Sequence, residues 1–205
     1  MTATPKTLLQ IAGAPVHPSP LASAALVIID AQLEYVSGGL PLDGIAAAID
    51  ETARLLALAR RNGVPVFHIV QHAPAGRPLF AEDGPFAAIV PQLTPQDGEA
   101  VVRKGLPNAF AGTDLHQRIQ ASGRRELIIA GFMTHMCVSA TTRCALDLKY
   151  RSTVVAGATA TRALPDPLGG TIAAATVQHT ALAELADRFA VVVRDSAVLA
   201  ATQAA

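Results

Sequence analysis

The sequence predicts an α/β protein: a parallel β-sheet in a three-layer αβα sandwich. Two observations carry this prediction. Short, continuously apolar runs alternate along the chain with longer amphipathic stretches, and continuous apolar strands are typical of parallel sheets covered by helices on both faces. A chain of 205 residues is also long enough for one domain with a sizeable core.

The first half of the chain contains two of the predicted strands. Residues 1–22 form an arm with four prolines, and the domain proper spans residues 23–205. The first strand covers residues 25–29, and a helical apolar stripe runs from Ile45 to Arg60. Asn62 and Gly63 end that helix. A second strand at 65–70 leads into a loop from 71 to about 98, and a connection this long inside a domain is usually functional.

The second half continues the alternation and brings the number of strands to six. The remaining predicted strands cover residues 99–103, 127–130, 154–156 and 190–193, and the remaining predicted helices cover 113–119, 137–149 and 171–185.

Composition excludes several classes of function. The 16 basic and 16 acidic residues cancel and form no block of like charge, so we expect neither a nucleic-acid nor a membrane partner. No apolar run approaches the roughly 18 residues of a membrane span. The first ten residues lack a signal-peptide pattern, which predicts a cytoplasmic location. The apolar, alanine-rich composition predicts a homo-oligomer, either a dimer or a tetramer.

Cofactor and metal signatures are also missing. A GxGxxG fingerprint does not follow the first strand, which argues against a nicotinamide cofactor. The two cysteines, Cys137 and Cys144, lie about 10 Å apart along one predicted helix, too far for a disulfide, and no CxxC is present. His68 and His72 lack a third ligand at a suitable spacing. We therefore expect no metal and no cofactor.

Three chemically distinctive residues lie at or just beyond the carboxyl ends of predicted strands. Asp30 follows the first strand, Lys104 ends the third, and Cys137 follows the fourth at the start of a helix. Ligands of parallel α/β sheets bind beyond the carboxyl ends of the strands. The sequence therefore predicts that Asp30, Lys104 and Cys137 meet at one edge of one sheet.

Each of these residues has a functional and a structural interpretation. At a helix N-terminus the dipole favours a thiolate, which makes Cys137 a candidate nucleophile, although free cysteines are commonly buried in cores. Cys144 fits that structural role better. Asp30 is either a general base or a strand-end cap. Lys104, one of only three lysines, either holds Asp30 ionised or is a solvated surface lysine.

Taken together these segments resemble the isochorismatase-like cysteine hydrolase superfamily. The resemblance covers about residues 22–195, and its matching stretches are residues 25–32, 102–104, 108–115, 131–138 and 140–145. It implies a Rossmann-like six-stranded parallel sheet and a triad of Asp30, Lys104 and Cys137. It also implies a cis peptide between Phe132 and Met133, with the backbone N–H groups of Met133 and Cys137 as oxyanion donors.

The substrate-binding residues that we expect lie around this triad. The loop from His72 to Pro91 should line the pocket, and His135 either points into the site or faces solvent. The full predicted set is Tyr35, His72, Phe80, Phe110, Thr134 and His135.

The resemblance implies hydrolysis of a small amide, lactam or ureido compound through a thioester. Nicotinamidases of this superfamily use an Asp-x-His motif that is missing at residues 67–74, so the sequence favours neither that activity nor its metal. Segments around Tyr35 and Pro41 are similar to the branch that includes streptothricin hydrolase-like proteins. Two alternatives remain open: a vinyl-ether hydrolase that uses Asp30 as general acid, and a catalytically silent small-molecule-binding protein.

Overall fold

The centre of the structure, a computed structural model that describes residues 4–201, is a six-stranded parallel sheet. The strands are β1 Ala24–Ile29, β2 Val66–Gln71, β3 Ala100–Lys104, β4 Glu126–Phe132, β5 Arg151–Ala160 and β8 Val191–Val193, with a separate antiparallel pair, β6 Leu164–Pro165 and β7 Thr171–Ile172. The order across the sheet is β3-β2-β1-β4-β5-β8. The predicted six-stranded parallel sheet is thereby confirmed.

Helices cover both faces of this sheet, as predicted. They are α1 Leu8–Ile11, α2 Ile45–Arg61, α3 Leu115–Ala121, α4 Ser139–Asp147, α5 Ala174–Arg188 and α6 Ser196–Ala201. Alternate residues of β1 divide between two apolar clusters: Leu26 and Ile28 pack with α2, whereas Val27 and Ile29 pack with α3, α4 and α5. Because all six residues of β1 are buried, the strand has to be apolar on both faces.

Local signals explain where several elements end. Helix α2 stops at Asn62, and Gly63 follows with a positive φ of 61°, a conformation that glycine adopts without steric cost. Gly131 in β4 has a φ of +111°, and a Cβ there would lie 2.0 Å from the carbonyl oxygen of Ile29. Glycine therefore lets β1 and β4 approach closely just before the point where both strands end.

Three segments differ from the sequence predictions. β5 extends to Ala160, and a hairpin, β6–β7, occupies residues that were predicted to begin a helix at 171. Gly169 and Gly170 both have positive φ and form the turn of this hairpin. The predicted helix from Cys137 begins instead with a π-helical turn, Thr134–Val138, that precedes α4.

The described part of the arm lies against the domain. The Leu8 N–H donates a hydrogen bond of 2.9 Å to Asp187 on α5, and the Ser19 N–H donates one of 2.7 Å to the Thr153 hydroxyl on β5. Leu21 is buried. The boundary at residue 22 stays a prediction. Among residues 4–201, none of the helices is both long and apolar enough to cross a bilayer.

Candidate active site

The three predicted catalytic residues meet at the carboxyl edge of the sheet. Lys104 is the last residue of β3, Asp30 comes directly after β1, and Cys137 lies in the π turn after β4. The side chains of Lys104 and Asp30 are fully buried, and Cys137 is 5% exposed. A fully buried ion pair next to a thiol is unusual, because the removal of two charged groups from water costs free energy.

Lys104 is the centre of the cluster. Its Nζ lies 2.7 Å from Oδ2 of Asp30, 2.6 Å from Oε1 of Gln71 and 3.3 Å from Sγ of Cys137. The contacts with Gln71 and Cys137 are hydrogen bonds, and the contact with Asp30 is an ion pair. Lys104 therefore links the carboxylate, the thiol and the amide through one buried charge.

Asp30 has an uncommon backbone conformation. Its φ is 50°, which non-glycine residues adopt rarely and mostly at turns or functional sites. The Asp30 N–H still donates to the Ile69 carbonyl at 2.8 Å, and the Gln32 N–H donates back to the Asp30 carbonyl at 2.8 Å. The chain thus leaves the sheet sharply at Asp30.

Burial controls the protonation of the acidic groups. It raises the pKa of the Asp30 carboxyl, and the Lys104 charge and hydrogen bond offset this effect only in part. Burial first, then the charge of Asp30, raise the pKa of the Cys137 thiol to about 12. Burial therefore opposes the thiolate that a helix dipole would favour, and the role of Cys137 as nucleophile stays a prediction. The thiol lies in the π turn rather than at the first residue of α4, and desolvation dominates there.

The candidate oxyanion donors lie in the same turn. The peptide bond between Phe132 and Met133 is cis. The N–H groups of Met136 and Val138 donate to the Met133 carbonyl at 3.0 and 3.2 Å. The Met133 N–H itself has no hydrogen-bond partner among the described residues. The role of Met133 and Cys137 as oxyanion donors stays a prediction.

Tyr35 and Phe80 form an aromatic wall beside the triad. The Tyr35 ring contacts Phe80 and Phe132 edge to face, with centroid distances of 5.2 and 6.0 Å. Tyr35 is 2% exposed, and its hydroxyl has no hydrogen-bond partner in the described part of the chain. Burial first, and then the charges of Asp30 and Cys137, raise the pKa of Tyr35.

Thr134 and His135 connect the π turn to the end of β5. The buried Thr134 hydroxyl donates to the Ala160 carbonyl at 3.0 Å, and Nδ1 of His135 lies 2.6 Å from the Thr161 hydroxyl. Burial and the nearby Arg162 charge lower the pKa of His135. The neutral imidazole is therefore favoured at pH 7.

His72 and Phe110 make no side-chain hydrogen bond with the triad among the described residues. The His72 N–H donates to the Lys104 carbonyl at 2.8 Å, and its side chain lies 3.0 Å from Glu82 and lines a cavity of about 570 Å³ shared with Gln71 and Phe80. The Phe110 ring stacks on Tyr150 at a centroid distance of 6.0 Å and packs against the apolar cluster that contains Cys137. The roles of His72 and Phe110 in substrate binding stay predictions.

Sequence reasoning missed two residues at this edge, Gln71 and Arg162. Gln71 ends β2 and binds Lys104. Arg162 lies two residues beyond β5; its Nε is buried without a hydrogen-bond partner, and it forms no ion pair with any described residue. Its charge affects both Tyr35 and His135. The signal that identified Asp30, a polar residue just after a strand, applies to Gln71, which follows the predicted strand 65–70. It does not apply to Arg162, which lies six residues beyond the predicted strand 154–156.

No metal site accompanies these groups. Within residues 4–201, no cluster of three or more His, Cys, Asp or Glu side chains has a geometry that could hold a metal ion.

Comparison with known proteins adds to this geometry. An isochorismatase domain matches residues 24–197. The crystal structure of an isochorismatase from Pseudomonas putida has a TM-score of 0.90 and 41% identity, covering 95% of this chain and 99% of that chain.

Three sequence relatives are named for an activity or a role. The secreted isochorismatase effector of Verticillium dahliae is 37% identical, over 88% of this chain and 93% of the effector. Streptothricin hydrolase of Streptomyces noursei is 34% identical, over 85% of this chain and 63% of that enzyme. Maleamate amidohydrolase of Pseudomonas putida is 33% identical, over 64% of this chain and 69% of that enzyme.

Proposed function

Because this chain belongs to the isochorismatase family and is a hydrolase, we propose that it cleaves the C–N bond of a small amide, lactam or ureido compound through a thioester on Cys137. The observation that carries this proposal is the contact of Lys104 with both Asp30 and Cys137, at 2.7 and 3.3 Å. The amidohydrolase and streptothricin hydrolase relatives support the choice of reaction.

Proton transfer between Asp30 and Cys137 begins the proposed reaction. Asp30 accepts the thiol proton while Sγ attacks the carbonyl carbon. A raised pKa of the Asp30 carboxyl supports this step, because it brings the base closer to the high pKa of the thiol. The N–H groups of Met133 and Cys137 bind the oxyanion.

The second half of the reaction returns the enzyme to its starting state. The C–N bond breaks as the proton on Asp30 passes to the leaving nitrogen, and a thioester remains on Cys137. Asp30 then takes a proton from water, hydroxide attacks the thioester carbonyl, and the leaving sulfur is protonated by Asp30. Lys104 stabilises the ionised Asp30 in each stage at which the carboxylate is charged.

The position of Arg162 favours a substrate that carries an anionic group. The Arg162 charge acts on Tyr35 and His135. Its guanidinium donates to the Ala163 carbonyl at 3.1 Å and has no acidic partner among the described residues, while the charges of Asp30 and Lys104 neutralise each other. A carboxylate on the substrate would give Arg162 a charged partner. Tyr35, Phe80, Thr134 and His135 line the remainder of the proposed pocket, with His72 beyond Phe80.

The experiment compares the wild-type protein with Cys137→Ala over a panel of small amides and ureido compounds. We expect Cys137→Ala to lower kcat at least ~10³-fold, because the thioester cannot form. Cys144→Ser is the matched control, since Cys144 is a half-buried cysteine on the following helix, and it should keep wild-type turnover. Equal turnover by Cys137→Ala and wild type would overturn the assignment of the nucleophile.

Vinyl-ether hydrolysis is the second candidate function. The raised pKa of Asp30 favours it, because a carboxyl that keeps its proton can serve as a general acid. In that reaction Cys137→Ala should retain activity on an enol ether and Asp30→Asn should lose it. A catalytically silent small-molecule-binding protein is the third possibility. Such a protein would hydrolyse neither the amides and ureido compounds nor the enol ether.

Assembly and location are proposals as well. We propose a homo-oligomer, which sedimentation equilibrium would detect as a dimer or tetramer mass; a monomer mass would overturn it. A cytoplasmic location stays a prediction, because one relative is named as a secreted effector. Fractionation of cells and medium would test it.

A further inference from the structure

Gln32 is a buried amide whose hydrogen-bonding groups are all bound to main chain. Its Nε2 donates to the carbonyls of Gln71 and Ala87 at 3.0 and 2.7 Å, and its Oε1 accepts from the Gln71 N–H at 2.8 Å. The residue is 1% exposed. With both amide hydrogens and the oxygen in use, only one orientation of this side chain satisfies every partner.

On one side, hydrogen bonds connect the Gln32 amide through Gln71 to Lys104. Gln32 binds both main-chain groups of Gln71, and the side chain of Gln71 accepts a hydrogen bond from Lys104 at 2.6 Å. Gln71 and Lys104 are also paired in register between β2 and β3. The position of the ammonium group between Asp30 and Cys137 therefore depends on a residue whose backbone Gln32 holds.

The other side of the amide leads to the loop between β2 and β3. The N–H groups of Leu33 and Glu34 donate to the carbonyls of Ala88 and Phe86, both at 2.9 Å. The buried Glu34 carboxylate accepts the N–H groups of Phe80 and Gly39 at 3.0 and 2.6 Å. These bonds seat the loop, including the aromatic wall residue Phe80, on the turn that follows Asp30.

We propose that Gln32 is a positioning residue that couples the seating of this loop to the placement of Lys104, acting through Gln71. When the loop is seated, Ala87 and Gln71 share the Gln32 amide, and Gln71 keeps its oxygen on the ammonium group. This proposal rests on the roles proposed for Asp30, Lys104 and Cys137. Its test needs no substrate, so its outcome is independent of the outcome of the amide panel.

Loss of Gln32 should weaken the electrostatic stabilisation that Lys104 gives to Asp30 and Cys137. A buried ammonium without one of its acceptors rotates or draws in water to replace it. Its stabilisation of the Asp30 carboxylate and of the Cys137 thiolate then falls, so that the pKa of the thiol rises further. Less thiolate forms at a given pH, and the thiol reacts more slowly.

The test measures the rate of Cys137 alkylation by iodoacetamide as a function of pH, with Cys144→Ser present in every protein. Gln32→Glu keeps the shape of the side chain but cannot donate to the carbonyls of Gln71 and Ala87. Gln71→Met keeps the length but removes the acceptor for Lys104. We expect each substitution to move the profile upward by about one pH unit, which is about tenfold in rate at a fixed pH.

The double variant distinguishes coupling from two separate effects. Because Gln32 acts through Gln71, Gln32→Glu combined with Gln71→Met should react no more slowly than Gln71→Met alone. Gln120→Glu, the same chemical change at an exposed position on α3, should leave the profile unchanged. Far-ultraviolet circular dichroism checks each fold, and Gln32→Met replaces Gln32→Glu if the charged variant does not fold.

Two outcomes would overturn the proposal. One is an unshifted profile in a folded Gln32 variant while Gln71→Met is shifted. The other is full additivity, with the double variant shifted by the sum of the two single shifts.

Discussion

Among single residues, the environment of a group decides its chemistry more than its type does. The sequence predicts that a helix dipole favours a thiolate at Cys137, but burial and the Asp30 charge raise the pKa of its thiol to about 12. Cys144, seven residues along the chain, is half-buried and has no charged partner of this kind among the described residues. What distinguishes the two cysteines is the contact of Cys137 with Lys104, which in turn pairs with Asp30.

Arg162 gives a prediction at the same scale. For an acid amide that the enzyme hydrolyses, Arg162→Met should raise KM about 10–100-fold with a smaller change in kcat, because a charged hydrogen-bond pair in the binding step is lost. The uncharged analogue of the same amide should show little change. Arg194→Met, at a fully exposed arginine, is the control. Equal losses for the charged and neutral amides would contradict this role.

Between elements, buried polar networks hold the helices to the sheet on the face away from Cys137. Arg60 of α2 and His68 of β2 both contact Glu99 in the turn before β3, at 2.8 and 2.9 Å. Burial alone would raise the pKa of Glu99, but hydrogen bonds from Arg60, the Gln96 N–H and His68 lower it to about 2. Burial, which exceeds the effect of Glu99, lowers the pKa of His68.

This network predicts the acid stability of the fold. A depressed carboxyl pKa contributes stability above about pH 4.5 that is lost as the pH falls toward 2. The neutral His68 adds stability that is lost below its ordinary pKa of 6.5. Urea unfolding of wild type should therefore show falling stability through this range, by about 3 kcal/mol from Glu99, because its pKa falls from 4.5 to about 2 and each pH unit is worth about 1.4 kcal/mol.

Glu99→Gln isolates the contribution of the carboxylate. This variant should be less stable at neutral pH and should lose less stability on acidification. Asp114→Asn is the control, since Asp114 is an exposed carboxylate paired with Arg118 on α3. A Glu99→Gln profile parallel to that of wild type would show that other groups govern acid unfolding.

At the scale of the whole molecule, the end of the arm around Ser19 and Leu21 packs on the sheet, whereas helix α1 is mostly exposed. The Ser19 N–H binds Thr153 at 2.7 Å, and the Ser19 and Thr153 hydroxyls lie 3.1 Å apart. Leu21 is 2% exposed within the larger apolar cluster. By contrast, Leu8 and Ile11 in α1 are 49% and 68% exposed, so α1 buries little apolar surface.

Two truncations test where the stable domain begins. Deletion of residues 1–14 should reduce the free energy of unfolding by less than about 1 kcal/mol, because it removes mostly exposed side chains. Deletion of residues 1–21 should cost at least about 2–3 kcal/mol more, since a buried leucine and the Ser19 hydrogen bonds are lost. Equal stability of the two truncated proteins would support the predicted boundary after residue 22.

The sequence by itself determined the sheet, because continuous apolar runs have no other way to be buried on both faces. It also placed Asp30, Lys104 and Cys137 at one edge, since parallel strands end on the same side. Only the tertiary structure decided the surroundings of the thiol, because burial and charges from distant positions of the chain raise its pKa. It also brought the Gln71 side chain to Lys104, a contact that the sequence did not predict because side-chain contacts between strands leave no periodic signal along the chain.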